Sequence, residues 1–245
     1  MPGAANRLSI ASMQTERHYT RNPDDFVAEQ GGSYAFVLGI VLDDLDSSEI
    51  YKWFLAALLY GARISEKIAT NTWQVFNSHQ VTSPVSVLAT GWDGLVDLLD
   101  KGGYGRYDFK TATKLLSVNF TLLNEYAGDL NRLHQLATGP RNLEERIMAL
   151  GKGIGKVTSQ IFLRELRGRW CKAMPPLSPL ALRAARKLGY LSADANADLE
   201  AVTRLQRLWK ENKQTAGEFV HFESALARYG LYLRHQDKRS HTKAL

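Results

Sequence analysis

Apolar residues recur three and four positions apart along most of the chain. That is the period of helices, and it predicts an all-α fold. Ile50, Trp53, Phe54, Ala57, Leu58 and Gly61 make one helical face, behind Asp46 and Glu49 at the spacing of a capping box. A second helix over 65–78 begins at Ser65 and buries Ile68, Thr72, Val75 and Phe76. Two short helices follow, over 83–90 and 92–100, and then a turn rich in glycine and tyrosine (101–110), where packing is the expected role of Tyr104 and Tyr107. A long helix over 109–126 carries Leu115, Leu116, Val118, Phe120 and Leu122. A further turn or two over 128–137 stops at Gly139-Pro140. Tyr34 to Leu42 is apolar nearly all round and compatible with a buried helix or a buried strand; its helical neighbours favour helix. Residues 1–30 are polar and poorly periodic, the pattern of a partly mobile arm.

The middle of the chain, 143–170, reads LEERIMALGKGIGKVTSQIFLRELRGRW. Leu143, Ile147 and Leu150 keep helical spacing until Gly151, Gly153 and Gly155 break it. Val157, Ile161, Phe162 and Leu166 then form a new apolar face, with Lys156, Gln160, Arg164 and Arg167 along another. Glycine permits positive φ and lets another backbone approach closely. The first-turn N–H groups of the second helix, beside Lys152 and Lys156, would make a seat for a phosphate oxygen.

Beyond the hairpin, residues 173–176 should be extended. Ser178-Pro179 opens a helix as N-cap and first residue, with Leu180, Ala181, Ala184, Ala185 and Leu188 inward and Gly189 at its end. Two last helices are expected over 197–211 and 218–236, before a loose basic tail.

Charge sharpens the picture. Residues 151–190 hold nine Lys or Arg (152, 156, 164, 167, 169, 172, 183, 186, 187) against one acid, Glu165, so the segment is +8 in a chain of +6. Such a block is the footprint of a polyanion partner. Cys171 is the one cysteine, which excludes a disulfide within the chain and a four-cysteine zinc or iron–sulfur site. His18, His79, His134, His221, His235 and His241 have no metal-ligand spacing. The longest apolar run is too short to span a bilayer and the N-terminus lacks the apolar core of a secretion signal, so a cytoplasmic or nucleoid-associated monomer is expected.

GKGIGKVTS resembles the hairpin of the helix-hairpin-helix (HhH-GPD) DNA glycosylase superfamily that contains endonuclease III, which reads roughly L-P-G-hydrophobic-G-x-K-T-A. Gly153, Ile154, Gly155 and Thr158 match, and Lys152 stands where proline is usual. The resemblance runs over about 50–236. LAALLYGARISEKIATNTWQVF is similar to the first core helices, 101–110 to the link that follows them, and EFVHFESALARYG to the helix before the cluster loop of endonuclease III. It implies a two-lobed all-α fold with duplex DNA in the cleft between the lobes. The arm and helix of 1–49 would pack with a C-terminal lobe of 171–245, around a core of 50–170 that ends in the hairpin (143–167). The DNA-binding residues it implies are Lys152, Gly153, Ile154, Gly155, Lys156 and Thr158, with Arg63 in the loop after the first core helix. No iron–sulfur cluster is implied for this chain; a monovalent cation at the hairpin is the one cofactor left open.

The catalytic positions depart from the family. Ser178 occupies the place of its aspartate, in a run L-S-P-L-A-L-R-A-A-R-K-L-G whose Arg183, Leu188 and Gly189 fall in register. Val157 stands at the position of the lysine of bifunctional members, with Lys156 one residue earlier. Ala57 stands near the glutamate of adenine-removing members. A serine hydroxyl carries no charge at neutral pH. Three expectations follow: binding of damaged or distorted duplex without competent base release; an active monofunctional glycosylase whose carboxylate comes from the arm or from 193–198; or a helical scaffold that binds protein.

Overall fold

The computed structural model describes residues 21–213 and 218–243, with side chains through 240, so most of the N-terminal arm lies outside the described residues. All regular structure among them is helical. Caps set the helix starts. Asn22 opens α1 (Pro23–Gln30) and Ser33 opens α2 (Tyr34–Val37), each side chain accepting a first-turn N–H. Asp46 opens α3 (Ser47–Tyr60), its Oδ1 2.9 Å from the nitrogen of Ser48 and 3.1 Å from that of Glu49. The capping box predicted there is half formed, because Glu49 accepts from Lys52 and from the N–H of Val41 instead. Ser65 caps α4 (Glu66–Ser78), and Ser83 with Ser86 makes a complete box at α5 (Pro84–Lys101). Gly91, at φ 68° and ψ 177°, divides α5 into the two short helices that its sequence predicts. Then come α6 (Asp108–Tyr126), α7 (Leu130–Leu136), α8 (Pro140–Ala149), α9 (Lys156–Glu165), α10 (Pro179–Lys187), α11 (Leu199–Asn212) and α12 (Phe219–Lys243). α12 continues through the stretch after 236 that reads as a loose tail.

Two apolar cores hold these helices. The first runs from Tyr34 to Ala173 and centres on α3, whose Ile50, Tyr51 and Trp53 through Leu59 are all buried. Its sequence predicts one buried face; every side is buried because α4, α7 and α9 pack around it. The second core joins Phe26 of α1 to Ala181, Ala184, Leu205 and Phe222 of α10, α11 and α12. Of the segment before residue 50, therefore, α1 packs with the C-terminal helices, while Tyr34, Ala35, Ile40 and Leu42 belong to the first core.

The apolar stretch 34–42 is not a buried helix. Only one helical turn forms, and Phe36, Val37 and Val41 are exposed. Gly39, at φ 72°, turns the chain away from the helix. Among the described residues no helix is long and apolar enough to cross a membrane.

Candidate nucleic-acid interface

The hairpin is fixed from inside. Leu143, Ile147 and Leu150 anchor the end of α8 in the first core, and Ile154 is buried in the turn that follows. A Cβ at Gly151 would come 2.6 Å from Cγ2 of Val118, so that glycine permits the close approach to α6. Gly153 has φ +94°, a conformation that favours glycine. Thr158 is buried against the C-terminal end of α3, where a Cβ on Gly61 would lie 2.1 Å from its Oγ1. Trp53 of α3 donates its indole N–H to the carbonyl of Phe162 at 3.0 Å. Glu144 of α8 accepts from the Ser159 hydroxyl and the Gln160 amide of α9, which braces the two helices against each other.

The outer side is bare. Lys152, Gly153, Gly155, Lys156 and Val157 are all exposed. Gly155 is the N-cap of α9 and no side chain caps the helix. A Cβ at Gly155 would meet nothing within 4 Å, so crowding does not account for a glycine there. The N–H groups of Lys156 and Val157 have no acceptor among the described residues. Unfilled donors at a helix N-terminus, with two ammonium groups beside them, attract an anion. Arg63 is exposed two residues after Gly61, within about 7 Å of it along the chain, and so lies close to the end of α3 that abuts the hairpin.

Two predictions from the sequence need correction. Val157 does not pack inward: it is 65% exposed, because Thr158 and Phe162 set the buried side of α9 and Val157 is turned about 100° from Thr158. The basic face of α9 is not a face either. Arg164 is buried over the Tyr34 ring, 5.0 Å from its centroid and 3.6 Å from Glu165. Arg167 makes two hydrogen bonds to Glu223 of α12 and one to the carbonyl of Pro175. Burial raises the pKa of Glu223 despite the guanidinium against it.

The same holds through the rest of the basic block. Arg169 pairs with Asp43 and Glu218, and Lys172 donates to the carbonyls of His134 and Gln135. Arg183 pairs with Asp237, and Arg186 donates to the carbonyl of Ala195. Six of the nine cations thus have partners in the fold, with Arg183 and Arg186 making theirs at the surface. Lys152, Lys156 and Lys187 have no such partner among the described residues.

Ser178 is the N-cap of α10, its hydroxyl accepting from the N–H of Ala181 at 3.1 Å, and among the described residues no hydrogen bond links it to the hairpin. The two aspartates of 193–198 are both engaged locally. Asp198 caps α11 through Ala201, and the Ser192 hydroxyl holds Asp194 below the usual carboxylate range. A concavity of about 730 Å³ lies between α10 and α12, lined by Pro179, Arg183, Lys187 and Asp237 among others; none of its lining residues comes from the hairpin.

A third lysine reaches the hairpin from a distant part of the chain. Lys114 of α6 runs under Gly153, its Cδ 3.3 Å from where a Cβ would stand, and its ammonium donates to the carbonyl of Leu58 at 3.2 Å. The signal was spacing: Lys114 comes three residues after Thr111 and four before Val118, both buried, so it sits on the edge of the inner face.

A scan of the sequence against protein-family models finds no match, and neither does a search of curated proteins.

Proposed function

We propose that this protein binds duplex DNA, damaged or distorted, through the hairpin between α8 and α9, on a two-lobed fold of the helix-hairpin-helix glycosylase kind. One observation carries this. The glycine turn presents unfilled N–H groups of α9 next to Lys152 and Lys156, which are exposed and unpartnered among the described residues while most of the neighbouring cations have carboxylate or carbonyl partners. A turn that served only to reverse the chain would need neither an uncapped helix start nor a glycine at 155, where a side chain has room. Arg63, beside the same edge of α3, supplies a further phosphate or base-stack contact.

No base-release chemistry is assigned. Ser178 acts as a helix cap, and Val157 has no nucleophile to offer. The test is equilibrium binding to a panel of intact and damaged duplexes, with single-turnover base release followed on the same samples. Binding without release supports the proposal. Failure to bind any duplex overturns it, and release at enzymatic rates overturns the non-catalytic part.

A further inference from the structure

Among the described residues Lys114 has no carboxylate as a counter-ion. Its Cδ lies 3.3 Å from where a Cβ on the exposed Gly153 would stand, so its stem packs directly against the glycine turn. Its ammonium has three donors, and the carbonyl of Leu58 takes one of them. From α3 it meets that carbonyl, and from the turn the Gly153 backbone, preceded by Lys152. Its own helix carries Lys110 one turn earlier. No acid pairs with it among the described residues, and burial alone moves its pKa from 10.5 to about 8. A charge partly withdrawn from water with no opposite charge beside it is costly and is kept where something repays it.

We propose that Lys114 is the half-buried counter-charge of the hairpin's anion seat, acting from beneath on the DNA phosphate that settles over Gly153–Lys156. It is a positioning residue, acting through the turn rather than touching the nucleic acid. A phosphate above the turn stabilises the charged amine, so binding draws a proton onto Lys114 near pH 8. The site therefore loses affinity as that proton is lost. This rests on the hairpin being the DNA seat.

A structural role is also available, since Leu58 lies in the last turn of α3 and a lysine there caps the helix. The experiment must separate the two. Binding of a short fluorescent duplex containing an abasic-site analogue is measured for wild type, Lys114→Met and Lys114→Arg at about pH 7 and about pH 9, with calorimetry at about pH 8 in two buffers of different ionisation enthalpy. Wild type should take up part of a proton on binding and lose affinity between the two pH values, by up to about tenfold per unit of pKa rise in the complex. Lys114→Arg, charged throughout, should keep the affinity and lose the pH dependence. Lys114→Met should bind more weakly at about pH 7 and take up no such proton.

A cap alone would leave Lys114→Met less stable but equally able to bind, and that result overturns the proposal. So does wild-type binding with no proton uptake, a measurement that needs no variant. If wild type binds no duplex at all, the hairpin itself is not a DNA seat, and the role of Lys114 falls with it.

Discussion

Arg167, two residues past the end of α9, and Glu223 of α12 meet at 2.7 and 3.1 Å with both side chains more than nine-tenths buried, and this pair ties the end of the hairpin's second helix to the C-terminal core. Around it the guanidinium groups of Arg164 and Arg228 both lie against the Tyr34 ring, and Glu165 accepts from the N–H groups of Tyr34 and Ala35 and from the Ser224 hydroxyl. Removing one member strands the other charge. Arg167→Ala should lose about 3–5 kcal/mol of stability in urea unfolding. Where it remains folded, its DNA binding should keep the wild-type salt dependence, since Arg167 faces no phosphate. A flattened salt slope in a stable Arg167→Ala protein would place this arginine at the interface after all.

The glycines of the turn should separate in their effects. Gly155 has φ −105° and open space around a built Cβ. Gly155→Ala should shift stability by less than about 1 kcal/mol while weakening DNA binding, because the methyl group stands in the path of the phosphate. Gly153→Ala forces a side chain into φ +94° against Lys114 and should cost about 1–3 kcal/mol of stability. Full affinity in Gly155→Ala would show that no phosphate approaches there.

Ser178 should behave as a cap. Ser178→Ala should lose about 1 kcal/mol and no DNA affinity, and Ser178→Asp, with a carboxylate at the positive end of α10, should fold as well as wild type. Base release by wild type that falls about a hundredfold or more in Ser178→Ala would make the serine a catalytic group.

The helices were largely legible because their signals are local. Ser65, Ser83 and Ser178 cap where they should, and Gly91 breaks α5 between two predicted helices. The fate of the basic block was not. Arg169 finds Asp43 across 126 positions and Arg167 finds Glu223 across 56, so a charge count within 151–190 registers the cations and misses the acids that neutralise them. The exposed lysines of the hairpin were readable from the turn itself. Lys114 was hidden because its contacts, Gly153 and Leu58, belong to two other segments of the chain.

The sign of the Lys114 titration gives a stability prediction. Its pKa is lowered on folding, from 10.5 to about 8, so between these values the unfolded chain holds more protons than the folded one. Stability from this group therefore rises with pH across that window. The difference between wild type and Lys114→Met, measured by urea unfolding at a series of pH values, should move in favour of wild type as pH climbs above about 8. A difference that stays flat would mean that the amine is not desolvated.

The most direct measurement is the salt dependence of duplex binding with the hairpin lysines removed. Each phosphate neutralised on duplex DNA contributes about −0.9 to the slope of log affinity against log salt. Lys152→Ala/Lys156→Ala should bind more weakly than wild type and show a slope flatter by about one to two units, in a protein that unfolds at the same urea concentration. An unchanged slope in the folded double variant would contradict the placement of DNA on this hairpin.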